Sequence, residues 1–247
     1  MEFEDNRINS IFVAEAQIMS LDSKHFNSAF SVDNVIFGFD KAGLKILLIK
    51  KSYGAFKDMW ALPGDHVRND EDLDVSPRRV LKELTGLTNV FLEQVRTFGK
   101  VARHPLGRVI TVAYYSLINV ENAEIRDPSD AESVEWHYLS DIENLAYDHD
   151  EIVRECLKHL KSNLRVKPIG FELLPEKFTL SEIQSLYETV TGKELDKRNF
   201  RKKFLSMDVL QNITEYQKGV AHRPARLYQF DKEKYEQMQS KGFLFEI

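Results

Sequence analysis

The sequence predicts a mixed α/β sandwich followed by a second, smaller α+β domain. Over residues 28–164, apolar β-branched runs are interleaved with two helical patterns, and over residues 179–231 two helical patterns precede two alternating strands. Between these regions, VKPIGFELLPEKF carries two prolines and a glycine, which interrupt regular structure. We therefore expect an N-terminal extension over residues 1–27, one domain over 28–165 and another over 166–247.

The strands of the first domain are marked by apolar runs that end in turn residues. SAFSVDNVIFGF and LKILLIKK are separated by the turn DKAG, and FKDMWALPGDHV predicts a short strand that ends at Pro63 and Gly64. Further along, VFLEQVRTFG and RVITVAYYSLINV flank the turn RHPLG, and SVEWHYL is another short strand.

Two helices accompany these strands. DVSPRRVLKELTGL has Ser76 as the predicted N-cap, Pro77 at the first helical position and Gly86 just past the end. Its apolar positions form a stripe that we expect to face the core. HDEIVRECLKHLKSNL is amphipathic and closes the domain.

The second domain begins with TLSEIQSLYETVTG, a helical pattern that follows a Thr/Ser cap. A second helix, KELDKRNFRKKFLSM, has Asp196 as its predicted N-cap and places Phe200 and Phe204 on one apolar stripe. VLQNITEYQ and ARLYQFD then alternate like a hairpin around KGVAHRPA. Helix, turn, basic helix and hairpin is the order of a winged-helix domain.

Composition excludes several classes of protein. No apolar run approaches the roughly 18 residues that cross a bilayer, and the N-terminus is acidic where a secretory signal is basic, so we expect a cytoplasmic protein. The single cysteine, Cys156, excludes an internal disulfide framework and a thiolate metal cluster. The net charge is −5, but residues 193–226 hold nine basic and four acidic residues, which indicates a basic face in an acidic chain.

The segment around the first helix resembles the Nudix box, G-x5-E-x7-R-E-U-x-E-E-x-G-U, where U is a bulky aliphatic residue. Asp65 stands at the opening glycine position, with Gly64 one residue earlier. The matching positions are Glu71, Arg79, Leu81, Glu83, Gly86 and Leu87. The resemblance implies the Nudix fold, an α/β/α sandwich.

Two box carboxylates are missing. Val80 and Leu84 occupy glutamate positions that, in Nudix hydrolases, converge on Mg²⁺. Hard divalent cations need several oxygen ligands, so we predict that hydrolase activity is lost and that no metal or other cofactor is resident. An alternative is that Asp65, Asp70 or Asp72 rebuilds a metal site.

The second half resembles the Nudix-related transcriptional regulators, most closely their arabinose-responsive branch. LLP-x-x-FTL, IQ-x-LYE and DKRNFRKK carry this resemblance, as does RVLKELTGL in the first domain. It implies a dimeric regulator that binds palindromic operators on double-stranded DNA and responds to a small effector held in the Nudix domain.

The predicted basic helix and wing are the candidate DNA-binding surface. Arginine can read guanine and asparagine adenine, whereas lysine mainly contacts phosphate. The candidate residues are Lys197, Arg198, Asn199, Arg201, Lys202 and Lys203 on the helix, with His222, Arg223 and Arg226 in the wing.

The candidate effector site lies in the Nudix domain. Arginine and aspartate can pair with hydroxyl or phosphate groups, and an aromatic ring can stack on a sugar or base. The candidates are Lys51, Phe56, Arg103, Arg108, Asp148 and His149. The resemblance to the arabinose-responsive branch implies a sugar effector, a pentose such as L-arabinose, and regulation of sugar-utilisation genes. Because a diphosphate without metal would add negative charge to an acidic domain, we favour this neutral sugar over ADP-ribose. Two alternatives are an active hydrolase of ADP-ribose or a related nucleoside diphosphate, and an interaction module whose second domain binds protein.

Overall fold

The computed structural model describes residues 29–105, 107–126, 133–211, 213–221 and 223–247. The predicted extension over residues 1–27 lies outside the described residues. Within the described ranges, no helix is both long enough and apolar enough to span a membrane.

The first domain is built on a seven-stranded mixed sheet. Its central strands run in the order β3-β2-β1-β6-β5, with β4 paired to β1 and β7 paired to β2. The pairing of β1 with β6 is parallel, and the other pairings are antiparallel. The strands are β1 (Ala29–Asp40), β2 (Gly43–Lys50), β3 (Trp60–Ala61), β4 (Gly64–His66), β5 (Phe91–Phe98), β6 (Val109–Asn119) and β7 (Val134–Tyr138).

Both faces of the sheet are buried, because successive side chains of a strand point to opposite sides. On β1, Val35 and Phe37 belong to one apolar cluster and Ile36 to another. The helix α1 (Ser76–Thr85) packs on the Ile36 side through Leu81, and α2 (His149–Val166) covers the Phe37 side. The predicted α/β sandwich is therefore confirmed.

Two local predictions in this domain were wrong. The segment FKDMWALPGDHV forms two short strands, because Gly64 begins β4 and pairs with Asp33 of β1. Ser76 is the first residue of α1, and the N-cap is Val75, which makes no side-chain cap. The Ser76 hydroxyl donates to the carbonyl of Asp72 instead. Gly86 ends the helix as predicted, with a φ of 76° that favours glycine.

The second domain has the predicted winged-helix order. After a 3-10 helix (Pro168–Leu173), it comprises α3 (Leu180–Thr191), α4 (Lys197–Ser206), β8 (Leu210–Gln211), β9 (Gln229–Phe230) and α5 (Lys232–Ser240). Thr179 and Glu182 form a reciprocal capping box at the start of α3, and the Asp196 carboxylate accepts from the backbone N–H of Asn199 at the start of α4. The sequence did not predict α5, which has no buried residue.

The two domains share one apolar cluster. Leu164 of α2 and Leu186 of α3 are both fully buried in it. A Cβ atom added to Gly170 would lie 2.8 Å from Leu164 and 3.3 Å from Leu186, so glycine permits their close packing. Cys156 lies in the same cluster, where burial raises the pKa of its thiol to about 12.

Candidate effector cavity and DNA-binding surface

A cavity of about 420 Å³ opens where β1, β4 and β6 meet the first turn of α2. This volume lies within the usual range of small-molecule sites, roughly 300–1,000 Å³. The residues that line it are Ser31, Asp33, Ile49, Lys51, Tyr53, Ala61, Leu62, Gly64, Asp65, His66, Leu84, Arg103, His104, Val109, Thr111, Tyr147 and His149.

The floor of the cavity is a buried polar network centred on Arg103, whose side chain is 3% exposed. Its guanidinium donates to both carboxylate oxygens of Asp148, at 2.9 and 2.6 Å, and to the hydroxyl of Thr111. The Thr111 oxygen in turn lies 2.5 Å from that of Ser31. Such bidentate pairing fixes the orientation of the guanidinium.

His149 is held as a neutral ring on the same floor. The backbone N–H of Leu62 donates to its Nδ1 at 2.9 Å, which leaves the ring proton on Nε2. Burial lowers the pKa of this imidazole, and the nearby Asp33 and Asp148 carboxylates only partly oppose that effect. Nε2 faces the Asp33 carboxylate across 3.7 Å.

The mouth of the cavity is aromatic. Tyr147 adopts a φ of 59°, a conformation that is uncommon for an aromatic residue. Its ring stacks on His104 with 5.1 Å between centroids and packs against Phe56 at 4.3 Å. Burial lowers the pKa of His104. At the mouth, Lys51 also lies over the ring of Tyr53.

The Nudix-box residues form an ion-pair cluster beside the cavity. Arg79 donates to both oxygens of Glu71, at 2.7 and 2.8 Å, and to the carbonyl of His66. This pairing, with the backbone N–H of Arg68, lowers the pKa of Glu71 to about 2. Arg79 also pairs with Asp65 at 3.1 Å.

The remaining box glutamate is already occupied by protein donors. Arg68 donates to both oxygens of Glu83 at 3.1 Å, and Arg79 donates to one of them at 2.9 Å. Val80 is fully buried among apolar side chains, and Leu84 packs partly buried beside it.

The proposed replacement carboxylates do not gather into a metal site. Asp70 and Asp72 are exposed. Among the residues that the structure describes, no group of three or more histidine, cysteine or carboxylate side chains is arranged to hold a metal ion.

The cavity brings together only part of the predicted effector set. Lys51, Arg103 and His149 line it. Asp148 lies behind Arg103, Phe56 lies behind Tyr147, and Arg108 donates to the carbonyl of Gly99, so these three do not line the cavity. Lining residues that were not predicted from the sequence include Asp33, Tyr53, His66, His104 and Tyr147. These residues are far apart in the chain, and only the order of the strands brings them together.

The predicted DNA-binding helix presents a basic surface. In α4, Phe200 and Phe204 are buried, whereas Lys197, Arg198, Asn199, Lys202 and Lys203 are exposed. Arg201 is half-buried, and its guanidinium donates to the Ser181 hydroxyl of α3 at 2.8 Å.

The wing carries further basic residues. Arg223 and Arg226 are exposed, and Arg226 donates to the carbonyl of Ile213 and lies over the ring of Tyr228. His222, which the sequence also proposed, lies outside the described residues. The helix α4 and the wing thus both carry exposed basic side chains of the kind that contact the DNA backbone.

Two family models match the chain. The NUDIX domain matches residues 28–159, and the NrtR DNA-binding winged helix domain matches residues 170–230. These matches confirm the predicted order of domains. The boundary at residue 165 stays a prediction.

Three relatives are informative. The ADPR responsive transcriptional repressor NtrR of Acinetobacter baylyi is 35% identical over 210 residues, which make up 83% of each chain. An ADP-ribose pyrophosphatase of Methanocaldococcus jannaschii is 30% identical over 134 residues, 54% of this chain and 76% of that protein. The third relative, Shewanella oneidensis NrtR, is known from crystal structures.

The complex of Shewanella oneidensis NrtR with a 27mer DNA gives a TM-score of 0.72 at 29% identity, covering 81% of this chain and 93% of that one. Its NUDIX domain complexed with ADP ribose gives a TM-score of 0.52 at 29% identity, covering 59% of this chain and 97% of that one.

These comparisons bear on the resemblances drawn from the sequence. The Nudix fold and the C-terminal winged helix are both confirmed. The arabinose-responsive branch finds no support, because the effector named for the relatives is ADP-ribose. The chain belongs to the family of Nudix-domain proteins that carry the NrtR winged-helix DNA-binding domain.

Proposed function

We propose that this protein is a transcriptional repressor whose DNA affinity is controlled by ADP-ribose bound in the Nudix cavity. The observation that carries the proposal is the exposed basic face of α4, which is mounted on a core continuous with the effector domain. The named functions of the Acinetobacter and Shewanella relatives support both the DNA and the effector.

ADP-ribose replaces the neutral sugar that the sequence analysis favoured. The sugar was predicted from the resemblance to the arabinose-responsive branch and from electrostatics, since a diphosphate without metal meets an acidic domain. The cavity nevertheless offers Lys51 and has an aromatic mouth at Tyr53 and Tyr147, features that suit a charged ligand with a base.

We propose that the Nudix domain binds this ligand without hydrolysing it. Val80 and Leu84 are packed among apolar side chains, and both oxygens of Glu83 accept hydrogen bonds from arginine side chains. A magnesium ion at this carboxylate would compete with both arginines for its oxygens. The alternative, an active hydrolase, has the Methanocaldococcus relative in its favour.

The test is fluorescence anisotropy with a labelled fragment of the DNA upstream of the gene. The full-length protein should bind this fragment more tightly than unrelated DNA at the same salt concentration, and ADP-ribose should weaken the binding. Lys202→Ala on α4 should lower the affinity, while Lys158→Ala, an exposed lysine of α2, should not. If the protein prefers none of the tested upstream fragments over unrelated DNA, the alternative in which the second domain binds protein would be favoured.

The oligomeric state belongs to the same proposal. Palindromic operators mirror the two-fold symmetry of the protein that reads them, so we propose a homodimer on a palindromic site. Light scattering coupled to size-exclusion chromatography should give twice the chain mass of 28.7 kDa. A monomer that binds the operator with full affinity would contradict this part.

A further inference from the structure

The cavity floor contains a carboxylate that the protein leaves without a hydrogen bond. The Asp33 side chain is 9% exposed. Its closest cationic neighbour is Nη2 of Arg103 at 3.6 Å, and Nε2 of His149 lies at 3.7 Å. Both exceed hydrogen-bond distance, and no other donor among the described residues reaches the carboxylate. Buried polar groups are nearly always hydrogen-bonded, so a buried carboxylate that has ion-pair neighbours but no hydrogen bond in a cavity indicates a ligand.

The chain makes room for this carboxylate. A Cβ atom on Gly64 would lie only 1.9 Å from Oδ1 of Asp33. The Asp33 side chain is therefore seated directly against the backbone of β4, where no residue other than glycine leaves it space.

The charge of the floor selects the kind of group that can approach. Arg103 is neutralised by its bidentate partner Asp148, and His149 is held neutral by the bond from Leu62. Asp33 then leaves the floor with an excess negative charge. This charge repels phosphate and favours hydroxyl donors, since a carboxylate accepts up to four hydrogen bonds.

We propose that Asp33 recognises the terminal ribose of the effector by accepting hydrogen bonds from two neighbouring hydroxyl groups. This inference rests on the proposed function, because it assigns one end of ADP-ribose to the floor. The other ribose of that molecule is flanked by the adenine and the diphosphate, so it cannot be the group that enters a closed floor. The terminal ribose is attached to the rest of the molecule at one point only, so it can enter the floor of the cavity.

The test is a cycle of two proteins and two ligands, measured by calorimetry with EDTA present. The ligands are ADP-ribose and ADP, which lacks the terminal ribose. The full-length wild-type chain should bind ADP-ribose at least about tenfold more tightly than ADP, as expected for hydrogen bonds to a charged group. Asp33→Asn should remove most of that difference and change ADP binding less than about twofold.

Asp40→Asn is the matched control, because Asp40 lies at the other end of β1 and pairs with Lys45 outside the cavity. It should leave both affinities unchanged. An equal loss of affinity for ADP-ribose and ADP in Asp33→Asn would assign Asp33 to cavity structure and overturn the inference. Equal affinities of the wild-type protein for ADP and ADP-ribose would also overturn the inference, and this measurement needs no variant. Wild-type protein that binds no ADP-ribose would refute the proposed effector itself.

Discussion

At the scale of single residues, the first domain retains the arginine and two of the glutamates of the Nudix box and carries apolar residues at two other glutamate positions. Arg79 still joins Glu71 to the loop before α1, as its pairing with the His66 carbonyl shows. Val80 and Leu84 have turned the adjacent helical positions into packing positions. One helix can carry both features because the ion pair of Arg79 and the apolar contacts of Val80 and Leu84 lie on different sides of α1.

The first prediction concerns hydrolysis. Purified protein with Mg²⁺ or Mn²⁺ should not convert ADP-ribose to AMP and ribose 5-phosphate above background, because too few free carboxylate oxygens remain to hold the metal. Chromatographic assay of AMP measures this. Turnover near the usual enzyme median, about 10 per second, would contradict the prediction and establish the hydrolase alternative.

The second prediction concerns the acid stability of the Glu71–Arg79 pair. The pKa of Glu71 is lowered from 4.5 to about 2 in the folded protein, so its ionised form favours folding. Its contribution to the free energy of unfolding is complete above the unfolded pKa and is lost as the pH falls from about 4.5 towards 2.

Urea unfolding of wild type and Glu71→Gln checks this pH dependence. The difference in unfolding free energy should be constant above about pH 5.5 and should shrink below pH 4.5. A Glu71→Gln difference that stays constant down to pH 3 would show that the pair does not stabilise the fold.

At the scale of elements, the helix caps and the buried stripes explain which helices the sequence predicts. Thr179, Asp196 and Gly86 mark their helix ends by chemistry that acts within one turn, so a sequence reveals them. The helix α5 was missed because KEKYEQMQS buries no residue and has no apolar stripe. It is held by contacts of Tyr235 with Phe230 and Phe245, which depend on the fold.

The cavity was predictable only in part for a related reason. Arg103, His149 and Lys51 were chosen for their chemistry, and the structure places them in the lining. Asp33 resembled one more polar residue in an alternating strand. Its position opposite Gly64 and His149 follows from the pairing of β1 with β4 and from the placement of α2. Such long-range placement leaves no local pattern in the sequence.

The third prediction separates base reading from phosphate contact on α4. Arg198→Ala should weaken specific operator binding by about 1–3 kcal/mol and affect nonspecific DNA much less. Lys203→Ala should weaken both alike and reduce the dependence of affinity on salt. Anisotropy titrations with operator and scrambled DNA distinguish the two. Equal losses on both DNAs for Arg198→Ala would remove it as a base-reading residue.

Arg201 has a different expected role on the same helix. Because its guanidinium donates to Ser181 of α3, we expect it to position α4 on the domain. Ser181→Ala should therefore reproduce part of the effect of Arg201→Ala on operator affinity, and should not add to it in the double variant. Additive effects would show that Arg201 contacts DNA independently of Ser181.

At the scale of the whole molecule, the effector domain and the DNA-binding domain do not have separate cores. Leu164, Leu186 and Phe204 belong to the same apolar cluster as Phe37 in the central sheet. The backbone N–H of Ile247 donates to the Arg165 carbonyl at the end of α2, so the segment that follows α5 also returns to the junction. Continuous apolar contacts thus connect α2, which begins at the cavity, with α3 and α4.

The fourth prediction follows from this shared core. Both tryptophans, Trp60 and Trp136, lie in the first domain, so their fluorescence reports only on that domain. Leu186→Ala in α3 should nevertheless lower the midpoint of the fluorescence transition, because a buried leucine truncation costs about 2–5 kcal/mol and the two domains should unfold together. Leu205→Ala, at an exposed position of α4, is the control and should shift the midpoint little. An unchanged fluorescence midpoint in Leu186→Ala would show that the domains unfold independently.

Because Cys156 is buried, thiol-reactive dyes should label the natural protein very slowly. Its thiol is fully buried, and with a pKa of about 12 it is almost entirely protonated at neutral pH, the form that alkylating reagents attack slowly. Because no other cysteine exists in the chain, a maleimide fluorophore would attach only where a new cysteine is introduced. Lys57, an exposed residue next to Phe56, and Lys218, an exposed residue of the wing, are suitable positions for a pair of introduced cysteines. Energy transfer between the two dyes would then report effector and operator binding in one molecule.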